Sequence, residues 1–291
     1  MGDHYIPQYY LSGFCEPSTP TVISRYEIGS RTVVTTAVKN VAQETGFYSP
    51  EVEQYLAEKV EGPANNVLKK IRNLEPISSE DKLVLSAYMV IMRMRVPQGK
   101  ERLQRIAPEV AKSLHSELDE GKLDSELGQL IKDEPSEANR LEEMREKVRR
   151  FLEPYEQGAK EVPKVVWLSL MSPTTFPKAI TVLNAMTWQF LISGSESAFL
   201  TSDNPVFFFE SIGIGRPQSE LSFPISRNIS LWATWHRNAA EGFVSTSEKV
   251  VHQINRRTLN AATDYVFFSH KANWVSNFIN NRKRHELHLI A

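Results

Sequence analysis

Apolar and polar residues alternate on both sides of Ile28-Gly29-Ser30 in TVISRYEIGSRTVVTT, and this pattern predicts a β-hairpin. From about Pro50 the period lengthens. Val52, Tyr55, Leu56 and Val60, then Val67, Leu68 and Ile71, recur at three- and four-residue steps, which predicts amphipathic helix, with Gly62-Pro63 expected to break or kink it. Ser78 to Asp81 has the spacing of an N-terminal capping box, with an acid in place of the usual glutamate. The run KLVLSAYMVIMRMRV that follows is apolar on nearly every side, so this helix is expected to be buried. Arg93 and Arg95 lie near its C-terminus, where the helix dipole favours a cation, and Pro97 ends the pattern or opens the next helix.

The stretch from about Gln98 to Gln157 is laced with charge and reads as two exposed helices around a loop near Asp133-Glu134-Pro135. Past Pro163, VVWLSLM and AITVLNAM have helical spacing. WQFLIS, AFL, VFFF and ISLWATW are short apolar runs separated by Gly, Ser, Asn and Pro, and are expected as strands of a buried sheet. Residues 248–262 return to helix through Val251, Ile254 and Leu259, YVFFS from Tyr265 reads as a strand, and Trp274 to Asn281 as a short helix. The expected class is α+β: an N-terminal β-hairpin and a C-terminal mixed sheet, packed with a helical region over roughly residues 50–186. A single domain over residues 1–291 is expected, with a charged helical insertion at about 98–160.

Composition narrows the classes. Of 291 residues, 41% are hydrophobic and 24% charged, which is ordinary for a folded globular chain. Thirty-four basic residues against thirty-five acidic ones leave a formal charge of −1, so no global field favours nucleic acid or an acidic membrane. The lone Cys15 excludes an intramolecular disulfide and a multi-cysteine zinc site. No stretch reaches the roughly 18 apolar residues of a membrane span, and the opening lacks a signal-peptide pattern, so a soluble cytoplasmic protein is expected.

Two segments set chemically able side chains in apolar surroundings: HYIPQYYLSGF, with His4, Tyr5 and Gln8, and FLTSDNPVFFF, with Asp203 and Asn204. Polar groups so placed either find a partner or act on something. Imidazole titrates near neutrality, so His4 suits general acid or base work, or else it caps a backbone group. Asp203-Asn204-Pro205 is a turn former that also offers a carboxylate at a strand end. Glu61 lies beside the expected helix break. Arg93 or Arg95 would pair such an acid or clamp a phosphate, and their spacing puts them on different helix faces. His4, Glu61 and Asp203 would make a mixed nitrogen and oxygen set for Mg²⁺ or Mn²⁺, with no local motif to fix it. The tail NNRKRHELH reads as a solvated terminus, and the aromatic runs lack the interleaved Lys or Arg of a base-stacking platform.

The chain resembles the bacterial family catalogued as domain of unknown function 4238. The resemblance rests on HYIPQYYLSGF, VAQETGFYS, EGPANNVLKKI, RMRVP, FLTSDNPV, FPIS and INRRTLNAATDYVFFS, of which the opening motif and the Ser-Asp-Asn-Pro turn are the specific ones. It implies that His4, Gln8, Glu61, Arg95, Asp203, Asn204 and Asn255 are the positions to test. Two readings stay open. In one, these residues meet in a pocket of a hydrolase, a nuclease of bacterial conflict or phage defence, with a nucleic acid or nucleotide substrate. There His4 is the general acid or base, Asp203 orients it or holds a metal, and Arg95 steadies negative charge. In the other, the same residues form a buried structural network, and helices 98–157 engage a protein partner.

Overall fold

The computed structural model describes residues 2–129, 137–194, 197–236, 240–280 and 287–290. The loop at Asp133-Glu134-Pro135 and most of the basic tail lie outside them. The chain forms two compact units, Met1–Gln98 with Leu170–Ala291, and Gly99–Ser169. In chain order the elements begin with β1 (Asp3–His4), α1 (Gln8–Ser12), β2 (Val22–Glu27), β3 (Thr32–Ala37), β4 (Gln43–Glu44) and α2 (Pro50–Tyr55). A π-helical stretch, Leu56–Glu61, leads into α3 (Gly62–Arg72) and α4 (Ser79–Arg95). There follow α5 (Pro97–Asp119), α6 (Asp124–Gln129), α7 (Glu137–Glu156), α8 (Lys164–Ser169) and α9 (Pro177–Ala185). The chain continues with β5 (Thr187–Ile192), β6 (Thr201–Ser202), β7 (Phe207–Phe208), β8 (Glu220–Ser226), β9 (Ile229–Thr234) and β10 (Gly242–Ser245). Last come α10 (Glu248–Ala261), β11 (Tyr265–Phe268) and α11 (Val275–Asn280). The class is α+β, and no helix among the described residues is long and apolar enough to cross a membrane.

Among the described residues the larger unit holds three sheets. One is antiparallel, in the order β3-β2-β11-β6, so the N-terminal hairpin is continued by strands from the far end of the chain. The second is mixed, β10-β5-β9-β8-β7, with β10 parallel to β5 and the other pairs antiparallel. The third is the small pair β1-β4. β8 is buried along its whole length, yet the pattern predicts no strand there, because it starts on Glu220 and contains Pro224, two residues that argue against a central strand. The expected strand at Ala198–Leu200 does not form, and VFFF yields only Phe207–Phe208.

Gly62-Pro63 does not break the helix but follows a local distortion of it. The turn before it widens to π geometry, with the Gly62 N–H bonded to the Ala57 carbonyl. That wider turn leaves room for Pro63, which has no N–H to offer and would otherwise crowd the preceding turn. A Cβ on Gly62 would lie 3.3 Å from the Ala57 oxygen, tighter than most such contacts. The capping box does form: Ser78 Oγ accepts from the Asp81 N–H at 3.1 Å, and Asp81 accepts from the Ser78 N–H at 2.8 Å. α4 is buried through its C-terminal half, with Tyr88 to Met92 buried in succession and so on every side.

The smaller unit packs Ala107 and Ala111 of α5 against Leu152 and Tyr155 of α7, and Val162 joins them. Its charged faces are laced by ion pairs such as Arg149–Asp119 at 2.9 Å and Arg145–Asp124. An apolar groove of about 120 Å³ runs past Leu103, Val110, Leu114, Phe151 and Val166.

In the larger unit the N-terminal segment is itself core: Tyr5, Ile6, Tyr10, Leu11 and Phe14 are buried. Its backbone must therefore find partners inside the protein. Arg72 supplies several, donating to the carbonyls of Tyr9 (3.1 Å), Tyr10 (2.9 Å) and Ile225 (3.1 Å). The Tyr10 hydroxyl donates to the Pro224 carbonyl at 2.7 Å and lies 2.8 Å from Thr201 Oγ1, joining the segment to both larger sheets. Gly13 makes the Arg72 approach possible, since a Cβ there would lie 2.4 Å from the guanidinium. Gly13→Ala is thus expected to displace Arg72 and lower unfolding free energy by about 1–3 kcal/mol for each carbonyl left unpaired. Urea unfolding checks this, and an unchanged midpoint would contradict it.

Candidate functional site

β1 starts the chain beside the end of α4, which is how Arg95 reaches it. Arg95 is 3% exposed and donates to the His4 carbonyl (2.6 Å), to Glu61 Oε1 (2.6 Å) and to the Tyr48 hydroxyl (3.3 Å). The Tyr48 hydroxyl donates in turn to the Arg95 carbonyl at 3.0 Å, and the Tyr48 N–H bonds Asp3 at 3.1 Å. Burial works against the Arg95 cation, but Tyr48 and Glu61 outweigh it and hold its pKa above the ordinary value. Glu61 sits at the end of the π-helical stretch, where the wide turn aims it inward at Arg95. Arg93 faces elsewhere and pairs with Glu210, so both arginines, on different faces, hold an acid.

The His4 ring lies 3.1 Å from the Lys39 carbonyl through Nε2. That contact caps a backbone group. Gln8 is exposed at the start of α1.

Asp203, 2% exposed, follows β6 directly. Its carboxylate accepts three backbone N–H groups, from Thr263 (3.0 Å), Asp264 (2.7 Å) and Tyr265 (3.1 Å), while its own N–H bonds the Tyr265 carbonyl at 3.1 Å. The turn into β11 is thereby wrapped around one side chain. Asn204 Nδ2 donates to the Ala261 carbonyl at 2.9 Å, holding the end of α10. Asn255, fully buried on α10, accepts from the Leu200 N–H and donates to the Ala198 carbonyl, both at 2.9 Å. A side-chain amide thus takes the place of a neighbouring strand at Ala198–Leu200, which explains why that apolar run is not a strand.

The candidates are therefore brought together in two groups, Arg95 with Glu61 and the His4 backbone, and Asp203 with Asn204 and Asn255. Tyr5 stands between them. Its N–H bonds the Ala42 carbonyl at 3.0 Å, its ring packs on Phe47 at 5.6 Å, and its hydroxyl feels the charges of Asp203, Asp264 and Arg25. Arg25 lies over the Tyr265 ring at 4.6 Å, and its buried Nε has no hydrogen-bond partner among the described residues. The metal set is not assembled: among the described residues no three His, Cys, Asp or Glu side chains lie together, so His4, Glu61 and Asp203 do not form one Mg²⁺ or Mn²⁺ site. The reason is local, since Glu61 is taken by Arg95, Asp203 by backbone N–H groups, and the His4 ring by Lys39.

Sequence reasoning missed Arg72, Tyr48 and Arg25, and also Glu220 and Arg257, a fully buried ion pair at 2.5 Å. Of these only Glu220 carried a signal, as the one charge in a run that is otherwise apolar or small, SELSFPIS.

Burial pushes the Asp203 carboxyl up to about 6, against the pull of the Asp264, Thr263 and Tyr265 N–H groups. An acid with a raised folded pKa binds more protons when folded, so the stability it brings is complete below its unfolded value and is lost as pH rises through about 6. Asp203→Asn puts an NH₂ against backbone donors and is expected to destabilise by about 1–3 kcal/mol. The gap to wild type should narrow between about pH 4 and pH 7. Urea titrations of both proteins across that range test it, and a gap that stays constant or widens would contradict the assignment.

The comparisons with known proteins place the chain without naming a chemistry. The family described as protein of unknown function (DUF4238) matches residues 3–272, which includes both groups of candidate residues. No curated protein and no solved structure matches the chain. With nearly its whole length covered, the chain belongs to the DUF4238 family of proteins of unknown function.

Proposed function

We propose that this protein is a non-catalytic binding module of the cytoplasm, in which the signature residues are scaffold and Tyr5 and Arg25 face the ligand. The observation that carries the reading is the engagement of Asp203: a would-be catalytic carboxylate spends its oxygens on three backbone N–H groups. A general base needs a free lone pair within reach of a substrate proton, and here three of the carboxylate's roughly four lone-pair sites are taken and the residue is 2% exposed. Arg95 is committed in the same way to the His4 carbonyl, Glu61 and Tyr48.

Arg25 differs from these groups. It has an aromatic ring beneath it and a buried nitrogen without a partner, the state in which a guanidinium binds an anion well. The ligand class that fits is a small phosphate or carboxylate with a planar part, such as a nucleoside monophosphate. Asp264 beside Tyr5 opposes a high negative charge, which favours a ligand of low charge.

Calorimetric titration with a nucleoside monophosphate, set beside thermal melts, separates the roles. Arg25→Ala and Tyr5→Phe are expected to weaken binding, by about tenfold for the arginine, while melting near wild type. Asp203→Ala and Arg95→Ala are expected to lose about 2–4 kcal/mol, and for a chain of this size each kcal/mol moves Tm by about 2–4 °C. The hydrolase or nuclease reading makes the opposite prediction. His4→Ala and Asp203→Ala that melt like wild type yet abolish a phosphodiester cleavage seen with the wild type would overturn the proposal.

A further inference from the structure

A second polar centre lies on the mixed sheet under α10. Arg257 and Glu220, 0% and 1% exposed, pair at 2.5 Å, and the Arg257 guanidinium lies over the Phe207 and Phe209 rings at 5.8 and 5.1 Å. Both also bond the backbone of a remote segment. Arg257 donates to the His288 carbonyl at 2.9 Å, and the Ile290 N–H donates to both Glu220 oxygens at 3.0 Å. Ile290 itself packs against Leu191, Phe199, Trp232, Val251 and Ile254.

A desolvated ion pair needs its remaining hydrogen bonds met, and here the backbone of a remote segment meets them. In an extended segment the C=O of one residue and the N–H of the second residue on point to the same side, so His288 and Ile290 present the edge that a strand would present. The segment is lightly held, for Leu289 is 42% exposed and Ile290 only partly buried. Among the described residues, Ser219 Oγ, Trp232 Nε1, Gln253 Oε1, and Arg257 Nε and Nη1 are buried without a hydrogen-bond partner. Trp232 is two places from Thr234, the partner of Glu220 across the sheet, and so shares its face. Buried groups left unpaired make this packing less favourable than a fully satisfied core, as suits a segment that can be displaced.

We propose that the cleft over Glu220 and Arg257 is a binding site for an extended peptide with an aliphatic side chain, and that residues His288–Ile290 fill it as a displaceable ligand in cis. Glu220 reads a peptide N–H, Arg257 reads a carbonyl two residues earlier, and the Leu191/Trp232/Ile254 pocket reads the side chain. An incoming peptide of the same pattern competes with the chain's own segment. The residues involved carry no part of the anion-binding reading above, so each stands without the other.

The test uses the full chain and a labelled peptide, acetyl-Leu-His-Leu-Ile-amide, followed by fluorescence anisotropy. Ile290→Ser weakens the segment in cis and is expected to raise peptide affinity several-fold over wild type. Adding Glu220→Gln to that variant should remove the gain. Equal affinity in all three proteins, or no binding to Ile290→Ser, would overturn the proposal. Amide exchange of Ile290 in the wild type gives a second readout that needs no variant. Release of the segment predicts exchange much faster than at Leu231 in β9, and exchange as slow as Leu231 would make it fixed core and contradict the proposal.

Discussion

A buried peptide backbone must have its carbonyls and N–H groups met, and this fold rests on meeting them along residues 3–16. The segment from Asp3 to Glu16 carries Tyr5, Ile6, Tyr10, Leu11 and Phe14 into the core and brings its carbonyls with it. Arginines supply the donors. Arg95, from the end of α4, takes the His4 carbonyl, and Arg72, from the end of α3, takes those of Tyr9 and Tyr10. The Arg227 N–H takes the Gly13 carbonyl at 2.9 Å, and the Arg227 side chain faces Glu16, which also bonds Ser269. A guanidinium suits this task because its planar fork of donors spans carbonyls that no single strand could reach. The helices of the larger unit are therefore tied to the N-terminal segment by directed bonds as well as by apolar packing.

The same economy governs the region around β6. That strand is only Thr201–Ser202 long, yet the residues on either side are as firmly placed as a longer strand would be. Asn255 bonds Ala198 and Leu200, Asp203 gathers the turn at 263–265, and Asn204 holds the last turn of α10. Side chains here do what a ladder of backbone bonds does elsewhere. Polar residues in such a network look like catalytic candidates in a sequence because both roles ask for the same thing, a polar group held in an apolar setting.

The elements set by local chemistry were legible in the sequence. The hairpin, the Ser78-Asp81 cap, the buried α4, and helix α10 follow from period and capping alone, and the structure has each of them. Elements set by distant partners were not legible. β8 hides behind Glu220 and Pro224 because its acid is neutralised by Arg257, thirty-seven residues on. Ala198–Leu200 mimics a strand because its partner is one asparagine. Gly62-Pro63 reads as a break because the widened turn that accommodates it leaves no mark in the periodicity. At the candidate site, the pairing of Glu61 with an arginine could be read, but the backbone partners of Asp203 and Arg95 could not, since a backbone N–H or carbonyl is present at every position and distinguishes none.

The central claim is that the N-terminal segment is core and does not detach on its own. Native-state hydrogen exchange measures this directly, because an amide that opens only when the whole protein unfolds reports the global free energy. The account predicts that the amides of Tyr5, Leu11 and Phe14, which bond the carbonyls of Ala42, Pro7 and Leu11, exchange as slowly as those of β8 and β9 and share their denaturant dependence. Exchange of these amides at a lower free energy, with little dependence on denaturant, would show a segment that detaches on its own and would contradict the claim.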